Sequence, residues 1–312
     1  MCAAISTDLT HPPIFNHIKP APNVATTAKH LHKSTREVVI TRIENGQALA
    51  RTDTIAREEP LEIRLAYGPK GQRQSRSLAV TMRTPGQDEE LAAGFLFTEG
   101  IIGKAADIKA MRHVGEALAE EARENILLVE LAEELPVDFD KLNRHFYTSS
   151  SCGVCGKASI DMVRSVSCYF PRRDHPLIQA STLQALPGKL SRQQAIFECT
   201  GGIHAAASFS PEGELLMVRE DVGRHNALDK LIGAALFQGQ MPLREQAILL
   251  SGRLSFELVQ KSVMAGVPIL AAVGAPSSLA VELAEEYGMT LVGFLRGSAF
   301  NVYGGEGRVA LI

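Results

Sequence analysis

Ala247-Ile248-Leu249-Leu250-Ser251-Gly252-Arg253, Pro268-Ile269-Leu270-Ala271-Ala272-Val273-Gly274-Ala275-Pro276-Ser277-Ser278 and Thr290-Leu291-Val292-Gly293-Phe294-Leu295-Arg296-Gly297-Ser298 decide the fold class. Each is a short, unbroken apolar run closed by glycine, serine or a basic residue. Runs of that length without polar alternation read as strands covered on both faces. Between them the spacing predicts a helix over 254–265 and a second helix ending before Gly288. A β-α-β-α-β order calls for a parallel sheet with right-handed crossovers, so the C-terminal half is expected to be α/β.

Working back toward the N-terminus, the pattern predicts a helix over 226–237, a strand over 215–218 and a strand over 194–198. The alanine-rich run from His204 to Ser208 is expected to open a helix. The first half is β-rich, with strands predicted over 37–42, 61–65, 77–82, 110–114 and 125–131. A helix is predicted over 88–98, with acidic residues at its start and Gly100 as its stop. Residues 1–34 hold Pro12, Pro13, Pro20 and Pro22 and no sustained period, so they are expected to form a disordered tail. The division is then a tail (1–34), a small α+β domain (35–146) and an α/β domain (147–312).

Composition narrows the function. The 312 residues are 45 % hydrophobic and 21 % charged, with a formal net charge of -3. That balance gives no reason to expect binding to nucleic acid or to an anionic membrane. No run approaches the roughly 18 apolar residues of a membrane span. Met1 to Pro20 lacks a basic start followed by an apolar run, so no secretory signal is read. Five cysteines are an odd set that argues against a disulfide framework. A reducing cytoplasm is the expected setting.

Three groups of residues carry chemistry. The first is the strand ends, which in an open parallel sheet line one edge where ligands bind. Helix N-termini there favour phosphate, and Arg253 and Arg296 add fork-shaped donors. A nucleotide- or pyrophosphate-bearing ligand is one reading; the other is that Gly and Ser merely turn the chain. The second group is Thr148-Ser149-Ser150-Ser151-Cys152-Gly153-Val154-Cys155-Gly156, ahead of a helix expected over 157–166. A helix start and Lys157 both favour thiolate over thiol. The pair could exchange a disulfide, hold half of a metal site or hand sulfur along. Zinc is the sharpest competitor: Cys168 and Cys199 are isolated and complete no second pair, while a three-ligand site drawing on His204 or His225 stays open. The third is Arg219-Glu220-Asp221-Val222-Gly223-Arg224-His225-Asn226, a turn denser in polar groups than helix capping requires. His225 there is a candidate proton carrier. Thr200-Gly201-Gly202-Ile203-His204 makes a similar turn, with His204 alone reading as a structural histidine.

Ser149 to Gly156, Glu198 to His204, Glu220 to Ala227, Ser251-Gly252-Arg253 and Phe294-Leu295-Arg296-Gly297 resemble, in order, motifs of the formate dehydrogenase accessory sulfurtransferase family, FdhD. The likeness runs from about Glu37 to Tyr303. It implies a sulfurtransferase that takes persulfide sulfur from a cysteine desulfurase and passes it to molybdenum in bis-molybdopterin guanine dinucleotide. The loaded cofactor then goes to the formate dehydrogenase catalytic subunit. The resemblance places the persulfide on Cys152; Cys155, read from the motif alone, is a candidate to resolve or relay it or a bystander. It places the cofactor against Phe294, Leu295, Arg296, Gly297, Ser298 and Ala299. Arg253, Asp221, Arg224 and His225 are expected to face the same ligand, Asp221, Arg224 and His225 near its molybdenum end. A cytidine deaminase-like three-layer second domain and a homodimer are implied as well. Deaminase chemistry itself is not expected, because His204-Ala205-Ala206 has alanine where a zinc deaminase needs glutamate. A cofactor-binding chaperone that moves no sulfur is the alternative.

Overall fold

Ala247 and Leu249 enter one hydrophobic cluster while Ile248 and Leu250 enter another, so this strand is covered on both faces. In the computed structural model, which describes residues 33–115, 124–137, 171 and 174–311, that alternation organises the second half of the chain.

The first half contains β1 (Thr35–Glu44), β2 (Gln47–Ala56), β3 (Glu59–Tyr67), β4 (Gln74–Arg83), α1 (Asp88–Thr98), β5 (Ile108–His113) and β6 (Ile126–Leu131). The second contains β7 (Ile178–Gln179), α2 (Ala180–Ser191), α3 (Ala195–Thr200), β8 (His204–Phe209), β9 (Leu215–Asp221) and α4 (Arg224–Phe237). It continues with β10 (Ala247–Leu250), α5 (Phe256–Met264), β11 (Ile269–Ala272), α6 (Ser278–Glu286), β12 (Thr290–Arg296), β13 (Ala299–Gly304) and β14 (Val309–Ala310). The protein is mixed α/β. The Cys152–Cys155 loop, the helix expected over 157–166 and most of the tail lie outside the described residues.

The main sheet runs in the order β13-β12-β11-β10-β8-β9. β10, β11 and β12 are parallel, as the repeating β-α pattern predicts, while β8, β9 and β13 run antiparallel to their neighbours. Leu183, Leu186 and Leu190 of α2 share the cluster on one face; residues of α4, α5 and α6 share the cluster on the other. β1 and β2 form a separate hairpin. The remaining long strands form a sheet in the order β4-β3-β6-β5, whose Leu61, Ile63, Leu65, Leu127 and Val129 join the same core as α4 and α5.

That continuity depends on how α1 meets α4. A Cβ on Gly94 would lie 1.9 Å from the carbonyl oxygen of Asp229, and one on Gly233 would lie 1.9 Å from that of Glu90. The two helices touch backbone to backbone, an approach only glycine permits. Buried ion pairs frame the crossing. Arg219 donates to both oxygens of Glu90 at 2.5 and 2.9 Å, and Lys261 on α5 meets Asp229 at 3.0 Å and Thr98 at 2.9 Å.

Two expectations are corrected. The run from His204 to Ser208 is strand β8, not helix. Alanine favours helix intrinsically, but here it sits between two strands and under helices on both faces, where small side chains fit. Residues 195–200 are helix α3, not the strand expected over 194–198. The carboxylate of Glu220 accepts the N–H groups of Ile196 at 3.0 Å and Phe197 at 2.9 Å. A helix start of six residues is thus capped from a distant strand, which no local pattern announces.

Candidate functional site at the rim of the main sheet

β10, β11, β12 and β9 end, and β8 begins, along one rim. The ladder pairs Leu250 with Ala272 and with Ala206, and His204 with Asp221. From β12 to β9 there are four strand spacings, so the rim is roughly 19 Å long. Its loops are tied to one another: Gly274 N–H donates to Gly252 O at 3.0 Å and Phe294 N–H to Gly274 O at 3.0 Å. Ser251 N–H donates to Ala205 O at 3.0 Å, while its hydroxyl accepts from Ala205 N–H at 2.9 Å. Such cross-bracing fixes the rim before any ligand arrives.

One end of the rim is the β12–β13 hairpin. Phe294 has φ 55°, a left-handed conformation that a non-glycine residue adopts at a cost. Its ring remains partly exposed, with the Arg296 guanidinium 5.8 Å from the ring centre. That pair offers a stacking face beside a cation. Gly297 and Ser298 form the exposed tip and Ala299 starts the return strand. Leu295, also expected at the ligand, is fully buried in the core under the sheet. Its side chain therefore holds the hairpin down and does not face outward. Arg253 stands between the two ends and is exposed.

The other end is built by the turn from β9 into α4. Asp221 was expected to face the cofactor, and the structure corrects this. Its side chain is fully buried and pairs with Lys230 at 2.7 Å. It also accepts from Gly223 N–H at 2.9 Å, Asn226 Nδ2 at 3.0 Å and Thr84 N–H at 3.1 Å. Val222 N–H donates back to the Thr84 hydroxyl at 3.1 Å. The dense polar motif thus divides by role: Glu220, Asp221 and Asn226 weld the turn to α3 and to the end of β4, while Arg224 and His225 remain at the rim.

His225 shares a 3.2 Å hydrogen bond with the hydroxyl of Ser255 and lies 4.0 Å from Glu257. This contact brings the start of α5 against the start of α4. Burial, then the nearby Arg224 and Lys261 charges, push the His225 pKa down to about 4. His204 is shifted down too, by burial and then by Arg224, partly opposed by Asp221. Both imidazoles are neutral at pH 7 and offer one donor and one acceptor each. Nε of Arg224 is buried and without a hydrogen-bond partner among the described residues. Sequence reasoning had set His204 aside and passed over Ser255 and Glu257. The pairing of β8 with β9, which puts His204 opposite the end of β9, is a tertiary fact with no local signal.

Among the described residues no three of His, Cys, Asp and Glu converge as a metal site. No helix among them is long and apolar enough to cross a membrane.

Comparison with known proteins aligns with the motif reading. A family model described as the FdhD/NarQ family matches residues 56–310. The chain is 53 % identical over 271 residues to the sulfur carrier protein FdhD of Mycolicibacterium paratuberculosis, covering 86 % of this chain and 97 % of that one. It is 50 % identical over 274 residues to the protein of the same name from Streptomyces avermitilis, covering 87 % and 94 %. For that from Sulfurisphaera tokodaii the identity is 40 %, covering 88 % and 98 %. A crystal structure described as that of a formate dehydrogenase accessory protein from Desulfotalea psychrophila superposes with a TM-score of 0.64 at 23 % identity, covering 88 % of this chain and 99 % of that one. At that identity the likeness speaks for the fold.

Proposed function

This chain belongs to the FdhD/NarQ family, and from that premise we propose that it is a sulfur carrier in formate dehydrogenase maturation. The observation that carries the reading is 53 % identity, over nearly the whole of its length, to a relative named a sulfur carrier protein. In finer detail, the Cys152 thiolate attacks the outer sulfur of a cysteine desulfurase persulfide. A new S–S bond forms to Cys152, the desulfurase cysteine leaves as thiolate, and no net oxidation occurs. The recipient substrate is bis-molybdopterin guanine dinucleotide, docked along the rim. Support for that substrate comes from a rim about 19 Å long, with an aromatic–cation pair at one end and Arg224 and two imidazoles at the other. Arg253 stands between them. A cytidine deaminase-like description of the second domain, a cytoplasmic location and a homodimer belong to the same reading.

Incubation with a cysteine desulfurase and cysteine, followed by peptide mass spectrometry, tests it. One added sulfur atom on Cys152 is expected, and the C152A variant is expected to lose formate dehydrogenase maturation. An unmodified Cys152 in protein that still supports maturation would replace the carrier with a chaperone that binds and delivers cofactor.

A further inference from the structure

The cluster of His204, Arg224 and His225 contains an unmet demand for a hydrogen-bond acceptor. Arg224 carries a permanent charge and five N–H donors with no capacity to accept. Its Nε is buried and has no hydrogen-bond partner among the described residues. The acid nearest in sequence, Asp221, is fully committed to Lys230, Asn226 and two backbone N–H groups. A buried polar group left unpaired is costly, so such a group normally has a partner.

The surroundings define that partner further. Both the His204 ring and Cδ of Arg224 pack around Gly252: a Cβ there would lie 3.4 Å from the ring and 3.6 Å from Cδ. The imidazole and the arginine therefore stand together over backbone that carries no side chain. His225, hydrogen-bonded to Ser255, lies within electrostatic reach of both Arg224 and His204. Glu257, 4.0 Å from His225 and within electrostatic reach of Arg224, already offsets part of the one positive charge beside two neutral imidazoles, so the corner has room for a single further negative charge and opposes a second.

We infer that the His204–Arg224–His225 cluster at the rim receives a small, singly charged sulfur anion of the hydrosulfide or persulfide kind. The inference rests on the sulfur-carrier reading above and names the ligand that this corner of the rim holds. A phosphate dianion, by contrast, suits the corner poorly because its second charge has only Glu257 to face.

Nitrogen-15 NMR of the histidine side chains in the full-length protein, titrated anaerobically with sodium hydrosulfide and separately with inorganic phosphate, tests it. Hydrosulfide is expected to shift the His204 and His225 resonances saturably. R224Q should weaken that binding at least tenfold and H204N should weaken it by a similar factor, should R224Q fail to fold. R51Q, on β2 and outside the cluster, should bind as the parent does. No saturable shift, or phosphate binding equal to or tighter than hydrosulfide at the same histidines, would overturn the inference. Repeating the titration on C152A separates the two readings. Rim binding retained in a C152A protein that matures formate dehydrogenase normally would remove the carrier function while leaving the anion site standing.

Discussion

Replacing Asp221 with alanine discriminates between a residue that faces a ligand and one that holds the fold. The Asp221–Lys230 pair is 2.7 Å apart with both side chains essentially inaccessible. At an effective dielectric of about 20 its gross attraction is about 6 kcal/mol, most of which offsets desolvation. Removing one partner strands the other charge and costs about 3–5 kcal/mol. D221A also orphans the N–H groups of Thr84 and Gly223, so the upper part of that range is expected. About 4 kcal/mol is close to a thousandfold in the unfolding equilibrium and a large share of the ~5–15 kcal/mol of an ordinary domain. Urea unfolding followed by far-ultraviolet circular dichroism measures it, since the chain has no tryptophan to report. The double variant D221L/K230M removes both charges and should recover the part of the loss due to the stranded Lys230 charge, though not the part due to the orphaned N–H groups. A D221A protein within about 1 kcal/mol of the parent, or a double variant no better than D221A, would refute the account of Asp221 as an interior tie.

Three further outcomes follow from the packing and the charges. G233A places a methyl 1.9 Å from the carbonyl oxygen of Glu90, so α1 and α4 must part; the expected cost is about 1–3 kcal/mol, read as a lower melting temperature. Burial alone would raise the Asp88 pKa, but hydrogen bonds with His113 and Arg83 and the Arg83 charge hold it at about 2, below the ordinary 3.8. Its stabilisation is therefore complete above about pH 4 and lost as the pH falls toward 2, about 2 kcal/mol in all. D88N should flatten that limb of the stability–pH curve. His225 should stay neutral by NMR down to about pH 4, and R224Q should raise its pKa toward the ordinary 6.5. An unchanged titration in R224Q would show that burial accounts for the shift without the guanidinium.

The parallel core was legible because three apolar runs, each bounded by glycine or serine, admit few other packings. The first-half strands β3, β4, β5 and β6 and helices α1 and α4 were legible for the same local reasons. β8 and α3 were not, because each takes its state from neighbours distant in sequence. β13 escaped reading because it follows β12 after only Gly297 and Ser298, where a helix start and a hairpin turn use the same residues.

At the site, the sequence alone determined which residues are chemically able: the Cys152–Cys155 pair, Arg253 and Arg296 at strand ends, and the polar run into α4. Side-chain chemistry and spacing are local properties, and they survive in any fold that keeps the strands. Only the tertiary structure decided which of them face outward. Asp221 and Arg224 are three residues apart, yet one is sealed against Lys230 while the other keeps a buried nitrogen without a partner among the described residues at the rim. The same pairing of β8 with β9 brings His204 to that corner. Burial and charge pairing are set by what the rest of the chain packs around a residue, and that is the information a linear motif does not contain.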